Sequence, residues 1–345
     1  PIWSSSGGGR ITSVALGDVD NDGDLDLAAG NLDAGNALYR NDGGVFPPDP
    51  IWRTARIDRT QSVALGDING DGRVDLACGN TRGAGYYLNG PDGFPSDPDW
   101  VLESGDSTTA VALGDVDGDG RLDLVCGVTG YDPAKSKLYH NGAGRLGQEP
   151  VWTPDSSSYT WALALGDIDS DADLDLVLGN QNVSNMLFRN DGGRLTTEPT
   201  WSSNLPAFTS SVALGDVNGD AKLDLVCGNG FSGTTLYLNE GTVFSRDPVW
   251  SSADAPLTRS VALGDVDGNG SLDLVCGNSG FAVGSKTTLY RNDNGLFTVA
   301  PVWSSGSAGF AQSVALGDIN GDGDLDLVCG NGKPFSPEGN ITIFE

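Results

Sequence analysis

The segment Val111-Ala-Leu-Gly-Asp-Val-Asp-Gly-Asp-Gly-Arg-Leu-Asp-Leu124 contains the pattern on which the fold depends. The same pattern occurs seven times along the 345 residues, at a spacing of about 49 residues. The first aspartates of the seven copies are Asp18, Asp67, Asp115, Asp167, Asp216, Asp265 and Asp318. A period of this length indicates either a β-propeller or a solenoid.

Four strand-like runs fill each repeat, and the fifth repeat shows them clearly. Strand A is predicted at residues 211–215, strand B at 223–228, strand C at 235–238 and strand D at 248–250. Four strands per repeat are typical of a propeller blade. We therefore expect an all-β fold, a seven-bladed β-propeller with four-stranded antiparallel blades, in which residues 1–345 form a single domain.

The two ends of the chain indicate how the ring would close. The chain begins with a D-type strand, Pro1-Ile2-Trp3, and ends with a C-type strand at residues 340–344. We expect the N-terminal strand to complete the last blade, which would remove two exposed sheet edges.

Seven of the eight tryptophans recur at the D-strand position of each repeat. We expect them to pack between neighbouring blades; a repeated platform for sugars on the surface is the alternative. These residues are Trp3, Trp52, Trp100, Trp152, Trp201, Trp250 and Trp303.

Each copy of the pattern continues into an acidic loop of the form Asp-x-Asp-x-Asp-Gly-x-x-Asp. Side chains at positions 1, 3, 5 and 9 and the backbone carbonyl at position 7 can surround a hard cation, and such a flexible set of oxygen ligands suits Ca²⁺ better than Mg²⁺. An EF-hand is excluded because position 12 falls on an apolar residue inside strand B instead of a glutamate. Solvated acidic turns without a metal are the alternative, but crowded carboxylates repel one another without a cation.

We therefore predict one calcium ion per blade, about seven in all. The predicted loops comprise Asp18, Asp20, Asp22, Asp24 and Asp26; Asp67, Asn69, Asp71, Arg73 and Asp75; Asp115, Asp117, Asp119, Arg121 and Asp123; Asp167, Asp169, Asp171, Asp173 and Asp175; Asp216, Asn218, Asp220, Lys222 and Asp224; Asp265, Asp267, Asn269, Ser271 and Asp273; and Asp318, Asn320, Asp322, Asp324 and Asp326.

The seven loops are not identical. Ala172 and Ala221 replace the glycine at position 6, where a left-handed backbone would penalise a Cβ atom. Loop five also has Asn218 at position 3, so we expect the loop from Asp216 to Asp224 to bind calcium most weakly.

The composition of the chain disfavours several classes of binding partner. The formal net charge of −28 disfavours nucleic acids and anionic lipid surfaces as partners. No apolar run approaches the length of a membrane span, so we expect no membrane insertion.

The five cysteines share one strand-B position and are expected to be buried and unpaired, and His140 is expected at the surface. No catalytic motif is present, and we expect no enzymatic activity.

The phrase at residues 111–124 resembles the FG-GAP/VCBS repeat family, whose best-known relatives are the integrin α-subunit propellers. The resemblance implies calcium in the A–B loops and a ligand-binding face formed by the B–C and D–A loops. Here all seven repeats carry a calcium loop, unlike an integrin subunit. The resemblance implies an extracellular or cell-surface adhesion or protein-binding module, expected to be part of a larger polypeptide. A lectin with a glycan ligand is the alternative, and a passive spacer is a third possibility.

One aromatic group lies outside the repeated pattern. Trp161 stands six residues before Asp167, where the other repeats have small or polar residues, and Tyr159 and Tyr131 are expected nearby. Exposed tryptophan and tyrosine are typical of interface hot spots. We predict a binding patch at the upper mouth of the central channel; the alternative is that Trp161 fills a gap or plugs the channel.

Overall fold

The computed structural model describes residues 1–6, 9–130, 134–253, 257–280, 286–306, 309–332 and 339–345. In these residues every regular element is a β-strand, which confirms the all-β class. The strands are β1 (Trp3–Ser4), β2 (Ile11–Gly17), β3 (Asp26–Asn31), β4 (Ala37–Tyr39), β5 (Trp52–Arg53), β6 (Thr60–Gly66), β7 (Asp75–Asn80), β8 (Gly83–Tyr87), β9 (Trp100–Leu102), β10 (Ser107–Gly114), β11 (Asp123–Thr129), β12 (Lys137–Tyr139), β13 (Thr160–Gly166), β14 (Asp175–Val183), β15 (Met186–Phe188), β16 (Trp201–Ser202), β17 (Ala207–Gly215), β18 (Asp224–Asn229), β19 (Thr235–Tyr237), β20 (Trp250–Ser251), β21 (Thr258–Gly264), β22 (Asp273–Asn278), β23 (Thr288–Tyr290), β24 (Trp303–Ser304), β25 (Ala311–Gly317), β26 (Asp326–Gly332) and β27 (Gly339–Phe344).

The strands of a repeat pair antiparallel in chain order, as strands A, B, C and D. Four-stranded sheets are formed by β2 to β5, by β6 to β9 and by β21 to β24. In repeat three, β10 to β12 form three strands, and a single bridge between Leu138 and Trp152 takes the place of strand D. In the last repeat β1 lies beside β27, with Trp3 opposite Ile343. Multiple antiparallel sheets of this kind are those of a β-propeller.

The strand boundaries of repeat five differ from those predicted. Strand A begins earlier, at Ala207, because the start of β17 pairs with an extension of β14, where Phe208 lies opposite Gln181. Strand D begins at Trp250 and not at Pro248, because proline has no N–H to donate to the ladder. Strand B runs one residue later than predicted, from Asp224 to Asn229, and strand C ends one residue earlier, at Tyr237.

The core lies between successive sheets. Each cluster of buried apolar residues combines side chains of two neighbouring repeats, and one cluster joins Ile11 and Tyr39 of the first repeat to Val328 and Ile343 of the last sheet. The repeated tryptophans contribute to this packing. Trp201, for example, lies edge-on to Tyr237 of the next repeat, with ring centroids 5.6 Å apart. The same edge-on contact recurs from every repeat to the next, which confirms the predicted packing role.

In repeats one to six, a buried asparagine after strand C joins the sheet to the preceding repeat. Nδ2 of Asn141 donates to the carbonyl oxygen of Ile68 in the preceding repeat, at 2.6 Å, and to that of Leu122 in its own repeat, at 3.0 Å. The corresponding residues are Asn41, Asn89, Asn190, Asn239 and Asn292, and each donates to the same position of the repeat before it. These side chains satisfy backbone carbonyls that would otherwise be buried without a partner.

All five cysteines are buried and unpaired, as predicted. Burial raises the pKa of the Cys126 thiol to about 12, so the thiol remains protonated and unreactive at neutral pH. Among the described residues no helix is long and apolar enough to cross a membrane.

Replacing Asn141 with alanine should lower the free energy of unfolding by about 1–3 kcal/mol, since two buried carbonyls lose their donor. Urea unfolding followed by tryptophan fluorescence measures the effect. Gln148→Ala, which removes an exposed amide in the same repeat, should change it by no more than about 0.5 kcal/mol. Equal urea midpoints for Asn141→Ala and the unmodified protein would contradict the proposed role of the asparagine.

Candidate metal-binding loops and channel mouth

The seven A–B loops connect strand A to strand B, and their nine positions are counted from the first aspartate. Because strands A and B are antiparallel, the loops lie at one end of the sheets, here called the A–B face. The B–C connections and the starts of strand A lie at the other end, the B–C face. The loop residues predicted from sequence are therefore brought together within each repeat, at equivalent places along the chain.

Backbone amides shape each loop around its first aspartate. In loop two, Oδ1 of Asp67 accepts hydrogen bonds from the amides of Gly70 and Asp71, and Oδ2 accepts one from Gly72 at 2.7 Å. The side chain at position 5 in turn accepts the amide of position 7, as Asp71 does from Arg73. These bonds fold the loop so that side chains at alternate positions point to one centre.

Carboxylate oxygens converge in the loops. One oxygen each from Asp18, Asp20 and Asp22 lies within 4.8 Å of the others, and the same holds at positions 1, 3 and 5 of loops three and four. In loop six the group is Asp265, Asp267 and Asp273. Hard oxygen ligands gathered at this spacing could hold a divalent cation such as Ca²⁺.

The aspartate at position 9 is buried in all seven loops, and in loops one to six both of its oxygens accept hydrogen bonds. Oδ2 of Asp75 accepts the amide of Ile68 at 2.9 Å, and Oδ1 accepts the amide of Asn89 at 2.7 Å. Burial, opposed by these bonds, raises the pKa of Asp75 to about 6, and Asp175 has a pKa of about 6 for the same reason. The pKa is also raised at Asp26, Asp123, Asp224, Asp273 and Asp326. A raised pKa marks a carboxylate whose charge is incompletely compensated by the protein.

Side chains at position 7 are engaged with other protein groups in loops one to five. Asp24 and Asp173 accept amide hydrogen bonds from Gly43 and Gly192 in the turn after strand C. Arg73 and Lys222 contact the aspartate at position 5 of their own loops. Arg121 also contacts its position-5 aspartate. Position 7 can contribute its backbone carbonyl to a cation, whereas its side chain is engaged elsewhere in these five loops.

A basic residue accompanies each aspartate at position 3. It stands immediately before the buried asparagine position, and Arg40 lies 3.7 Å from Asp20 while His140 lies 3.5 Å from Asp117. Arg189 contacts Asp169. Where position 3 is an asparagine, the basic residue is absent. The pairs are Asp20 with Arg40, Asp117 with His140, Asp169 with Arg189 and Asp267 with Arg291, against Asn69 with Leu88, Asn218 with Leu238 and Asn320 with Glu345.

His140, which was expected at the surface, is therefore not freely exposed to solvent. It is half-buried and forms a group with Asp117 and Asp123 in which ligand atoms lie within 4.8 Å of one another. Its position as one member of the basic series explains why it lies beside loop three.

The seven side chains aligned with Trp161 surround one cavity of about 230 Å³ on the axis of the strand-A starts. They are Thr12, Gln61, Thr109, Trp161, Ser210, Arg259 and Gln312. We call this cavity the channel mouth.

Trp161 is half-buried, and its Nε1 donates to Oε1 of Gln181 at 3.0 Å. Its ring packs on Phe208, with centroids 5.4 Å apart. Tyr159 is exposed beside it, and Tyr131 lies outside the described residues. The aromatic group missed by the prediction is Phe208 with Phe231, which the pairing of β14 with β17 brings to Trp161.

Two family models match the chain. The FG-GAP-like repeat matches residues 18–78, 67–126, 167–227, 216–276 and 278–329. The FG-GAP repeat matches residues 107–146. Together these matches cover well over half of the chain. The chain belongs to the FG-GAP repeat family.

Solved structures with the same fold include two chains from crystals of BBS1N in complex with ARL6DN. The chain from a crystal soaked with lead is 14% identical, covers 98% of this chain and 94% of that chain, and has a TM-score of 0.67. The chain from a crystal soaked with mercury is 13% identical, with the same coverage and TM-score. At this identity the likeness shows the fold alone. A comparison with curated proteins gives no match.

Two features of these FG-GAP repeats could not be assigned from the sequence. The buried asparagine and the basic residue before it both recur at a fixed place after strand C. Their period is visible in the sequence, but their partners lie in a different loop or in the preceding repeat, so spacing alone does not identify them.

Position 6 of the FG-GAP loops adopts a left-handed backbone, as expected. Its φ angle is 84° at Gly72, 76° at Ala172 and 66° at Ala221. A Cβ atom added at Gly72 would have no atom within 4 Å, so only backbone strain separates glycine from alanine there.

Ala221→Gly should therefore raise the free energy of unfolding by about 0.5–1 kcal/mol, since the relief of left-handed strain exceeds the entropy gained by the unfolded chain. Urea unfolding in EDTA measures this without a contribution from bound metal. The reverse change, Gly72→Ala, should lower stability by a similar amount. Destabilisation by Ala221→Gly would show that the strain argument is wrong.

Proposed function

We propose that this chain is a closed, seven-bladed FG-GAP β-propeller that binds calcium in its A–B loops and acts outside the cell as a protein-binding module. The observation that carries the proposal is the convergence of carboxylates in loops that are themselves anchored by a buried aspartate. The acidic A–B loop recurs in every repeat. The B–C face, at the opposite end of the sheets, differs from repeat to repeat.

Contacts between the first and last repeats support a closed ring. The amide of Val14 donates to Oγ of Ser313, at 3.1 Å, in the same way as the amide of Val63 donates to Oγ of Ser13. Asn41 likewise donates to the carbonyl oxygen of Ile319, as each other buried asparagine does to its own preceding repeat. The last and first repeats thus meet as any two successive repeats do, which favours seven equivalent blades.

The donor set supports calcium. The loops offer carboxylate, carboxamide and backbone carbonyl oxygens, without the thiolate ligands that soft metals select. A bound Ca²⁺ would supply positive charge to carboxylates that otherwise repel one another. The pairing of Asp at position 3 with Arg in loops one, four and six, and of Asn with Leu in loops two and five, keeps the local charge of these five loops similar, which supports one common function for them.

Several features support a binding module over an enzyme. Every cluster of three acidic or histidine groups found in the described residues involves an A–B loop, so the described part of the B–C face offers no such constellation for acid–base chemistry. BBS1N, which has the same fold, was crystallised in complex with ARL6DN. By analogy we place a protein partner on this chain.

We propose a location outside the cell on the basis of the calcium affinity expected of the loops. Oxygen loops of this kind in extracellular modules are filled at about 10⁻⁴–10⁻³ M calcium. A glycan ligand has no comparable support, because the seven repeated tryptophans pack against the next repeat and do not form a repeated sugar platform.

Calorimetric titration of EDTA-stripped, dialysed protein with CaCl₂ tests the proposal. We expect binding of up to seven ions per chain, with the tightest sites filled below about 1 mM. The loop from Asp216 to Asp224 is expected to fill last. No uptake at 10-fold higher calcium, about 10 mM, would contradict the proposal.

Variants that change the charge beside one loop assign calcium binding to individual loops. Leu238→Arg places a cation beside loop five and should weaken one site roughly fivefold, since nearby unit charges interact by about 1 kcal/mol even in water. Arg189→Leu should strengthen one site by a similar factor. Arg82→Leu, on the B–C face, removes the same charge far from every loop and should leave the titration unchanged.

A further inference from the structure

The channel mouth contains a cation, Arg259, for which the described residues provide no counter-ion. Arg259 is half-buried, and its Nε is shielded from solvent with no hydrogen-bond partner in the part of the chain that is described. Burial alone lowers the pKa of Arg259, with no contribution from a neighbouring carboxylate. A guanidinium stays charged under these conditions, so the cavity presents an uncompensated positive charge.

The other polar side chains of the channel mouth are already engaged. Nε2 of Gln61 donates to Oγ of Ser107 at 2.9 Å, and Nε2 of Gln312 donates to Oγ of Ser279 at 2.8 Å. Ser210 bonds to the carbonyl oxygens of Gly228 and Thr258. Arg259 therefore differs from the residues at equivalent positions, because its Nε–H donor has no acceptor among the described residues.

An aromatic row leads from Arg259 to the surface. The Cζ atom of Arg259 lies 5.9 Å from the centroid of Phe208, which packs on Trp161 at 5.4 Å and on Phe231 at 5.8 Å. Phe231 is 76% exposed. Aromatic rings beside an arginine are the composition found at energetically dominant positions of protein interfaces.

The row is held in place by backbone structure. The paired extensions of β14 and β17 place Gln181 opposite Phe208, and the same Gln181 accepts the hydrogen bond from Trp161. A site built on paired strands is ordered before a ligand arrives, which reduces the entropy lost on binding.

We propose that the channel mouth binds a carboxylate presented by a peptide segment of a protein partner, with Arg259 as its anchor and the Trp161–Phe208–Phe231 row as the surface beneath the segment. A guanidinium can hold a carboxylate through two parallel hydrogen bonds. A cavity of about 230 Å³ is smaller than typical ligand pockets and takes one side chain or a chain terminus. The inference rests on the proposed protein-binding function.

The overall acidity of the chain does not oppose such a ligand. The repeated carboxylates lie on the A–B face, at the opposite end of the strands from the channel mouth. Charges separated by more than about 8 Å are largely screened at physiological ionic strength. Exposed Arg59 and Arg82 add positive charge to the B–C face.

Calorimetry with calcium-saturated protein and three synthetic peptides tests the proposal. The peptides are acetyl-Gly-Glu-Phe-Gly-amide, its Gln counterpart, and acetyl-Gly-Gln-Phe-Gly with a free C-terminal carboxylate. We expect the Glu peptide or the free-carboxylate peptide to bind about tenfold more tightly than the neutral peptide, since charge-assisted hydrogen bonds are the stronger ones. Which of the two binds identifies the source of the carboxylate.

Arg259→Gln should abolish this preference, while the matched variant Arg82→Gln should retain it. Arg259→Lys should restore part of it, since lysine keeps the charge but not the planar fork. Arg259→Gln should melt at or above the temperature of the unmodified protein, because it removes a buried, unpaired charge; a structural arginine would instead lower the melting temperature.

Equal binding of all three peptides to the unmodified protein, or a carboxylate preference that survives Arg259→Gln, would overturn the inference. Calcium titrations of the unmodified protein and of Arg259→Gln distinguish a failure of this inference from a failure of the proposed function. If calcium uptake is normal and the carboxylate preference is missing in the unmodified protein, the inference fails alone. If calcium uptake is missing as well, the proposed function fails with it.

Discussion

A carboxylate buried at the start of strand B holds each of the first six repeats together. Its two oxygens accept one amide from its own A–B loop and one from the asparagine after strand C, as Asp75 does from Ile68 and Asn89. The asparagine side chain then donates to the preceding repeat. Loop shape, sheet edge and contact between repeats therefore depend on one group. Because burial raises the pKa of this group, a cation beside it would stabilise its ionised form and, through it, the packing of the sheets.

Much of this architecture could be predicted from the sequence. The period of about 49 residues indicated the repeats, alternating apolar runs indicated the strands, and Asp-x-Asp-x-Asp-Gly indicated the loops, because each signal is local. The repeated tryptophans were correctly assigned to packing between repeats. The left-handed backbone at Ala172 and Ala221 was also expected, since alanine stands where the other loops have glycine.

The rest depended on contacts that spacing cannot show. The early start of β17 at Ala207 reflects its pairing with β14 of the preceding repeat, and this pairing also sets the orientation of Trp161 through Gln181. The sequence predicted Trp161 at the channel mouth but did not identify the residues that contact its side chain. The sequence showed Arg259 only as one of the residues aligned with Trp161. That no described carboxylate pairs with it could be seen only once the side chains around it were placed.

The A–B face and the B–C face of the sheets differ in how regular they are from repeat to repeat. The A–B face repeats one arrangement, with compensating changes at position 3 and in the residue after strand C. The B–C face varies, and repeats four to six place Trp161, Phe208 and Arg259 together there. In the proposed function, the regular face stabilises the fold and the variable face binds the partner, in keeping with folds that acquire distinct functions through local sites.

The central claim, that calcium in the loops stabilises the whole fold, is tested most directly by thermal unfolding with and without chelator. A site saturated at 100 times its dissociation constant adds about 2.7 kcal/mol to the native state. With several such sites, EDTA should lower the melting temperature by roughly ten degrees or more, and added calcium should restore it. An unchanged melting temperature, with complete metal removal confirmed by elemental analysis, would contradict the account.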